Sequence, residues 1–315
     1  MSDRNCPICL DALREGDAAY HAACCKKLFG TNEQPILPYT WEGLNSLAEQ
    51  VIRQHIAVPG VQPKLSLHLD RKGKTAGGRL TLVGLAGGYI LKPPVARYPE
   101  MPELEHLTML MARQFGIETA ECGLIPLEDG QRAFITRRMD RPDGNKLHME
   151  DLCQLTDRLT EQKYRSSMEQ AGRAVLRYCS NPLFEALRLF DLTVFCFLTG
   201  NADMHLKNFS LLYAPGREIR LAPAYDLLPS VLLLPEDPEE TALTLNGKKR
   251  KLKPEDFLKF GAALQLTERQ IQNSLRRIST AMDSGLALIE RGFCSGEMKV
   301  RYRALISERS ARLFG

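Results

Sequence analysis

The sequence predicts an α+β protein in two lobes, and three observations carry that reading. Strand-like runs are concentrated in the first half, where "KLSLHLD", "GGRLTLVGL" and "GGYILKPP" follow one another with glycine and proline between them. One periodic stretch, "MPELEHLTMLMARQFGI", puts Leu104, Leu107, Leu110, Met111 and Phe115 on a single helical face, with Gly116 as its stop. From about residue 150 onward helical patterns dominate. At 315 residues the chain is long enough for one large or two ordinary domains.

Taken in order, residues 1–30 form a cysteine-rich segment, "CPICLDALREGDAAYHAACCKKLFG". Cys6 and Cys9 make a C-x-x-C knuckle, and His21 with Cys24 makes an H-x-x-C pair. Thiolates and a neutral imidazole in two such pairs suit a tetrahedral structural zinc site. Cys25 is an equally placed alternative to Cys24, and a metal-free cysteine-rich hairpin is the competing reading. "TNEQPILPYTWEG" is a proline-marked connector into a short helix at "LNSLAEQVIRQH". The strands named above follow, the last of them ended by Pro93 and Pro94. After the periodic helix, "CGLIPL" and "RAFITRRMDR" read as two more strands.

Beyond "RPDGNK" the helical strings are "MEDLCQLT", "SMEQAGRAVLRYC" and "PLFEALRLFDLTVFCFLTG". They continue as "PEDFLKFGAALQL", "TERQIQNSLRRISTAMDSGLALI" and "SGEMKVRYRALISERSARLF", with short strands at "NFSLLYA" and "IRLAPAYD". The expected organisation is a cysteine-rich segment at 1–30, a strand-rich N-lobe at 31–145 and a larger helical C-lobe at 146–315.

Composition narrows the function classes. Hydrophobic residues make up 44% and charged residues 25%, as in globular proteins. The balance of 42 basic and 38 acidic side chains, +4 overall, argues against a dedicated nucleic-acid binder. No apolar run reaches the ~18–20 residues of a membrane span. The start, "MSDRNCPICL", lacks the apolar core of a signal peptide, so a cytoplasmic location without membrane association is expected, with secretion by a route that needs no cleaved signal as the alternative. Of nine cysteines, the five beyond residue 25 (Cys122, Cys153, Cys179, Cys196 and Cys294) stand in apolar contexts and read as buried thiols.

The chemistry gathers in "FLTGNADMHLKNFSLL". Asp203 and Asn208 are five apart, the offset between a catalytic base and a metal-binding Asn in the kinase pattern D-x-x-x-x-N. Asp226, in "LAPAYDLLPS", follows a strand and supplies a further carboxylate, so Asn208 and Asp226 suffice as protein ligands for Mg2+. Upstream, "VPGVQPKLSL" is a glycine-bearing loop that opens into a strand, equally readable as an ordinary turn. Lys92 ends an apolar strand and reaches a phosphate or else faces solvent. Glu105, on the following helix, is its partner or merely one helix-surface acid.

These segments together resemble the HipA-type serine/threonine kinases, the toxin kinases of bacterial toxin–antitoxin systems. "PGVQPKLSL", "YILKPP", "ELEHLTMLMARQFGI", "MEDLCQLT", "GNADMHLKNFSLL" and "APAYDLLPS" stand in the family's order from about residue 55 to the C-terminus. The resemblance implies a bilobal protein-kinase-like fold and the use of ATP and Mg2+. Asp203 matches the catalytic base, and His205 lies beside the nucleotide phosphates. Asn208 and Asp226 match the magnesium ligands, Lys92 the phosphate-binding lysine, and Glu105 its acidic partner. Gly60, Val61, Gln62 and Lys64 fall in the phosphate loop, and Arg137 and Met139 in the adenine hinge at 136–139.

HipA carries an extra N-terminal subdomain for which this chain shows no match. The short form therefore resembles the HipT branch, where a separate small HipS-like protein supplies that portion. The other partners implied are a HipB-like DNA-binding antitoxin, with DNA reached only indirectly, and a protein substrate such as an aminoacyl-tRNA synthetase. One departure concerns self-inhibition. Many members carry autophosphorylated serine before the loop glycine, whereas this chain has Ala57, Val58 and Pro59, and Ser66 stands on the following strand.

Two other functions fit parts of the pattern. A small-molecule phosphotransferase shares the loop logic but wants an acceptor pocket in the helical lobe, where "PEDPEETALT" reads as a surface loop. A nucleotide-binding pseudokinase that scaffolds a DNA-binding antitoxin has no need of Asp203, Asn208 and Asp226, all of which are present.

Overall fold

The computed structural model describes residues 5–16, 18–54, 63–71, 76–84, 86–216 and 218–315. Helix α1 (Ala22–Phe29) ends on Gly30, whose φ of 75° lets its N–H donate to the Lys26 carbonyl. This helix is absent from the sequence expectation because its signal is tertiary: Cys25, Leu28 and Phe29, spaced i, i+3, i+4, face a core. Helix α2 (Trp41–Gln54) follows.

Strands β1 (Leu65–Asp70), β2 (Arg79–Leu82) and β3 (Tyr89–Lys92) precede helix α3 (Met101–Gln114), and β4 (Cys122–Pro126) and β5 (Arg132–Arg137) follow it. They form one antiparallel sheet in the order β2-β1-β3-β5-β4. Period-2 alternation is visible in β1, which buries Leu65, Leu67 and Leu69 and turns Ser66, His68 and Asp70 outward.

This sheet belongs to the first of two compact units, comprising Met1–Leu107, Ala120–Gly144 and Arg291–Cys294. Its core joins Cys6, Ile8, Cys25, Leu28 and Phe29 to Leu67, Leu91 and Ile135 of the sheet. The cysteine-rich start therefore contributes directly to the burial that stabilises the strands.

The second unit comprises Thr108–Thr119, Asn145–Glu290 and Ser295–Gly315. It contains β6 (Met149–Asp151), α4 (Leu152–Leu155), α5 (Met168–Tyr178) and α6 (Pro182–Thr199). Then come β7 (Ser210–Tyr213), β8 (Ile219–Leu221), α7 (Ser230–Leu233), α8 (Pro254–Ala263), α9 (Glu268–Thr280), α10 (Met282–Arg291) and α11 (Gly296–Phe314). Helix α6 is the axis of this unit, buried through Leu189, Phe190, Val194, Phe195 and Phe197. A helix apolar on so many sides is stable only when surrounded. Pro182 opens α6, and Gly200, at φ 76°, closes it.

One helical expectation needs correction. "MEDLCQLT" is not helical throughout, because Met149, Glu150 and Asp151 pair with Leu212, Leu211 and Ser210 in the sheet β6-β7-β8. Asp151 then caps α4 reciprocally with Gln154. "TERQIQNSLRRISTAMDSGLALI" is helical as expected, divided into two helices at Ala281. The break brings Gly285 against Phe115, where a Cβ would lie 2.6 Å from the ring. No helix among the described residues is long and apolar enough to cross a membrane.

Candidate active site

In the second unit, α6 delivers the chain into a loop held by its own hydrogen bonds and by several from neighbouring segments. Gly200 turns left-handed where a Cβ would meet Leu305 Cδ2 at 2.6 Å, so a larger residue is excluded on both counts. Buried Asn201 then acts as a double tie. Its Oδ1 accepts from the Asp203 N–H at 3.2 Å, and its Nδ2 donates to the Asp226 carbonyl at 3.5 Å. The His205 N–H donates to the Asp203 carbonyl at 2.8 Å, and the Asn208 N–H to the His205 carbonyl at 2.9 Å. Asn208 Nδ2 donates to the same Asp203 carbonyl at 3.0 Å. The five-residue offset thus has a local cause: the Asn side chain folds back onto the backbone of the Asp.

The outcome is a polarity gradient across the loop. Asp203 is exposed, while Asn201, His205 and Asn208 are buried. The Tyr164 hydroxyl donates to Asp203 Oδ1 at 2.5 Å, and the Tyr164 ring meets His205 edge-on with centroids 5.1 Å apart. Burial holds the Tyr164 phenol well above its usual range, and the bond to Asp203 raises it further. Burial lowers the His205 pKa, with Asp203 and Asp226 opposing the shift, so both carboxylates act on this ring. His205 Nδ1 is buried with no hydrogen-bond partner among the described residues.

The hairpin of β7 and β8 carries the chain from Asn208 to Asp226. Tyr225 locks the return: its hydroxyl pairs with Ser210 Oγ at 2.6 Å and donates to the Lys207 carbonyl at 2.9 Å. Lys207 Nζ binds Asp151 at 2.6 Å. Asp226 itself adopts φ 61°, an unusual conformation for a non-glycine residue that the surrounding bonds enforce.

The donor set fits magnesium. With its amide nitrogen held by the Asp203 carbonyl, Asn208 could serve as a ligand through its oxygen, and Asp226 through its carboxylate. Hard oxygen donors of this kind are the ligands Mg2+ prefers.

In the first unit, Lys92 and Glu105 meet. Lys92 is 3% exposed, Glu105 is 1% exposed, and Nζ lies 2.5 Å from Oε1. The lysine also sits 5.4 Å from the centre of the Phe134 ring. The solvent-facing alternative for Lys92 and the helix-surface alternative for Glu105 are both excluded.

Among the hinge residues, the Arg137 N–H donates to the Glu121 carbonyl and the Arg138 N–H to the Gly88 carbonyl, so these two donors are already engaged. Met139 is half-buried, and Lys64 is exposed ahead of β1. Ala57, Val58, Pro59, Gly60, Val61 and Gln62 lie outside the described residues. Ser66 is on β1, where its hydroxyl accepts from the Gly87 N–H at 3.1 Å.

Sequence reasoning missed Tyr164, Asn201 and Tyr225. Asn201 and Tyr225 stand inside the quoted motifs, two residues before Asp203 and one before Asp226, so adjacency was a usable signal. Tyr164 is 39 residues from Asp203 and carried none.

This arrangement defines a kinase-like α+β protein. Residues 56–286 match the HipA-like C-terminal domain family, and the chain belongs to that family of HipA-type kinases. A Haemophilus influenzae protein named "Putative kinase" is 28% identical over 301 residues, 86% of this chain and 85% of its own length. The Shewanella oneidensis serine/threonine-protein kinase toxin HipA is 25% identical over 258 residues, 75% of this chain but 57% of that protein. In fold, the chain is similar to HipA of Shewanella oneidensis as solved in complex with HipB and its operator DNA. That match has a TM-score of 0.67 at 19% identity and covers 97% of this chain and 76% of that one. Membership in this family supports a kinase role.

Proposed function

We propose that this chain is an ATP- and Mg2+-dependent serine/threonine protein kinase. The observation that carries the reading is the loop in which exposed Asp203 is presented while Asn208 is turned back beneath it by the Asp203 carbonyl. The acceptor hydroxyl gives its proton to Asp203 as its oxygen attacks the γ-phosphorus. The bond from that phosphorus to the bridging oxygen breaks, and ADP leaves. Tyr164 orients the Asp203 carboxylate through its hydroxyl. Lys92, fixed by Glu105, offsets nucleotide phosphate charge. Asn208 and Asp226 are the ligands for Mg2+, which when bound neutralises phosphate charge. His205 Nδ1 contacts the phosphates, which accounts for a buried nitrogen left without a partner among the described residues.

By family likeness the acceptor is a translation-related protein such as an aminoacyl-tRNA synthetase. The neutralising partners are a HipB-like antitoxin or a HipS-like small protein, and DNA is reached only through them. The test is transfer from γ-labelled ATP to dialysed lysate protein and, separately, to a metabolite extract. Label on serine or threonine of a protein is expected. Label confined to metabolites would replace this reading with a small-molecule phosphotransferase, and no label in either would leave a scaffold.

A further inference from the structure

The N-terminal knuckle has no part in phosphoryl transfer, yet its donor atoms converge. Cys6 and Cys9 lie on a tight turn in which the Cys6 N–H donates to the Asp11 carbonyl and the Leu10 N–H to the Cys6 carbonyl, each at 2.9 Å. Leu10 takes φ 64° to close it. The Asp11 N–H points at Cys9 Sγ, 3.4 Å away. His21 is the N-cap of α1 and Cys24 stands in that helix. His21 Nδ1 is 3.3 Å from Cys9 Sγ and 3.9 Å from Cys24 Sγ.

All four donor atoms, from Cys6, Cys9, His21 and Cys24, lie within 4.8 Å of one another. A tetrahedral zinc ion separates its sulfur and nitrogen ligands by about 3.5–3.8 Å, so little movement is needed to close the site. The second shell agrees. His21 Nε2 lies 3.2 Å from the Ala12 carbonyl, and a proton donated there leaves the Nδ1 lone pair toward the sulfurs. The choice between neighbouring cysteines is also resolved, since it is Cys24 and not Cys25 whose sulfur lies in the group with Cys6, Cys9 and His21. No other such group occurs among the described residues.

We propose that Cys6, Cys9, His21 and Cys24 hold one Zn2+ in a closed structural site, and that this site braces helix α3 at Glu105. Four protein ligands leave no open position for substrate, which sets the role as structural. The knuckle between the ligands makes the brace. The Pro7 carbonyl accepts from the Leu124 N–H of β4 at 2.8 Å. The Ile8 carbonyl lies 3.2 Å from Nε2 of buried His106, the residue next to Glu105. Packing at this seam is tight, because a Cβ on Gly123 would stand 2.9 Å from Ile8 Cγ1 and 3.1 Å from Leu28 Cδ2. Metal binding that orders the knuckle is thereby free energy for positioning β4 and the start of α3.

The test needs no catalytic activity. Elemental analysis of the full chain, as purified and after incubation with zinc chloride and desalting, should find one zinc per chain. Cys24→Ser should lose it and Cys294→Ser keep it. Chelator-stripped protein should exchange amide hydrogens at 101–107 and 122–126 about tenfold or more faster than the zinc form, with α9 unchanged. Zinc-free protein after both treatments would overturn the site. Unchanged exchange at 101–107, or an equal loss of protection in α9, would overturn the brace.

Discussion

The Lys92–Glu105 pair and the Asp203–Asn208 loop carry charge by opposite means. The pair is buried, held by a strand and a helix, with its two charges 2.5 Å apart. The loop is exposed on one side and held by backbone carbonyls, and its carboxylate accepts a hydrogen bond from the Tyr164 hydroxyl. The difference teaches where function and stability separate. Breaking the pair takes the opposite charge away from a buried one, whereas changing the loop carboxylate removes the proposed base from an exposed position.

The largest expected effect breaks the comparison on the loop side. Asp203→Asn should lower phosphoryl transfer about 10³-fold, within the usual range for a general base, while thermal stability stays close to that of the parent. A matching loss of stability would place Asp203 in the structural class. On the other side, Lys92→Met should cost about 3–5 kcal/mol in urea unfolding, and adding Glu105→Leu should recover most of it. A Lys92→Met variant as stable as the parent would show that the pair is not compensating a buried charge.

A third effect comes from Glu103, on the same helix as Glu105. Burial pushes its carboxyl up to about 7, with Arg132 opposing. The folded state then keeps a proton that the unfolded chain has lost, so stability is full below about 4.5 and falls as pH rises toward 7. The fall is on the order of 2 kcal/mol, reduced by partial contact with water, and Glu103→Gln should flatten it in pH-dependent unfolding. The smallest effect is Tyr164→Phe, which removes one hydrogen bond to Asp203 and should cost about 1 kcal/mol or less. Its kcat should fall while ATP affinity holds, and a change confined to affinity would move Tyr164 from the carboxylate to the nucleotide.

How much of this was legible follows from the range of the forces involved. The Asp203–Asn208 spacing could be read because the bond that enforces it closes within the loop. The strands of the first unit could be read from alternation and from glycine and proline boundaries. Lys92 and Glu105 were ambiguous taken singly, since only the packing of α3 beside β3 removes both from water. Tyr164 was invisible because no periodicity links it to Asp203. Strand β6 was read as helix because its three residues are extended only through pairing with β7. Helix α1 was missed for the related reason that eight residues make too weak a local signal without a core to face.

The most direct test of the central claim compares the parent chain with Asp203→Gln in γ-labelled ATP and Mg2+, alongside equilibrium binding of a non-hydrolysable ATP analogue. The parent should transfer label to protein, the variant should lose that transfer, and the analogue should bind equally to both. Undiminished transfer by Asp203→Gln would contradict the claim.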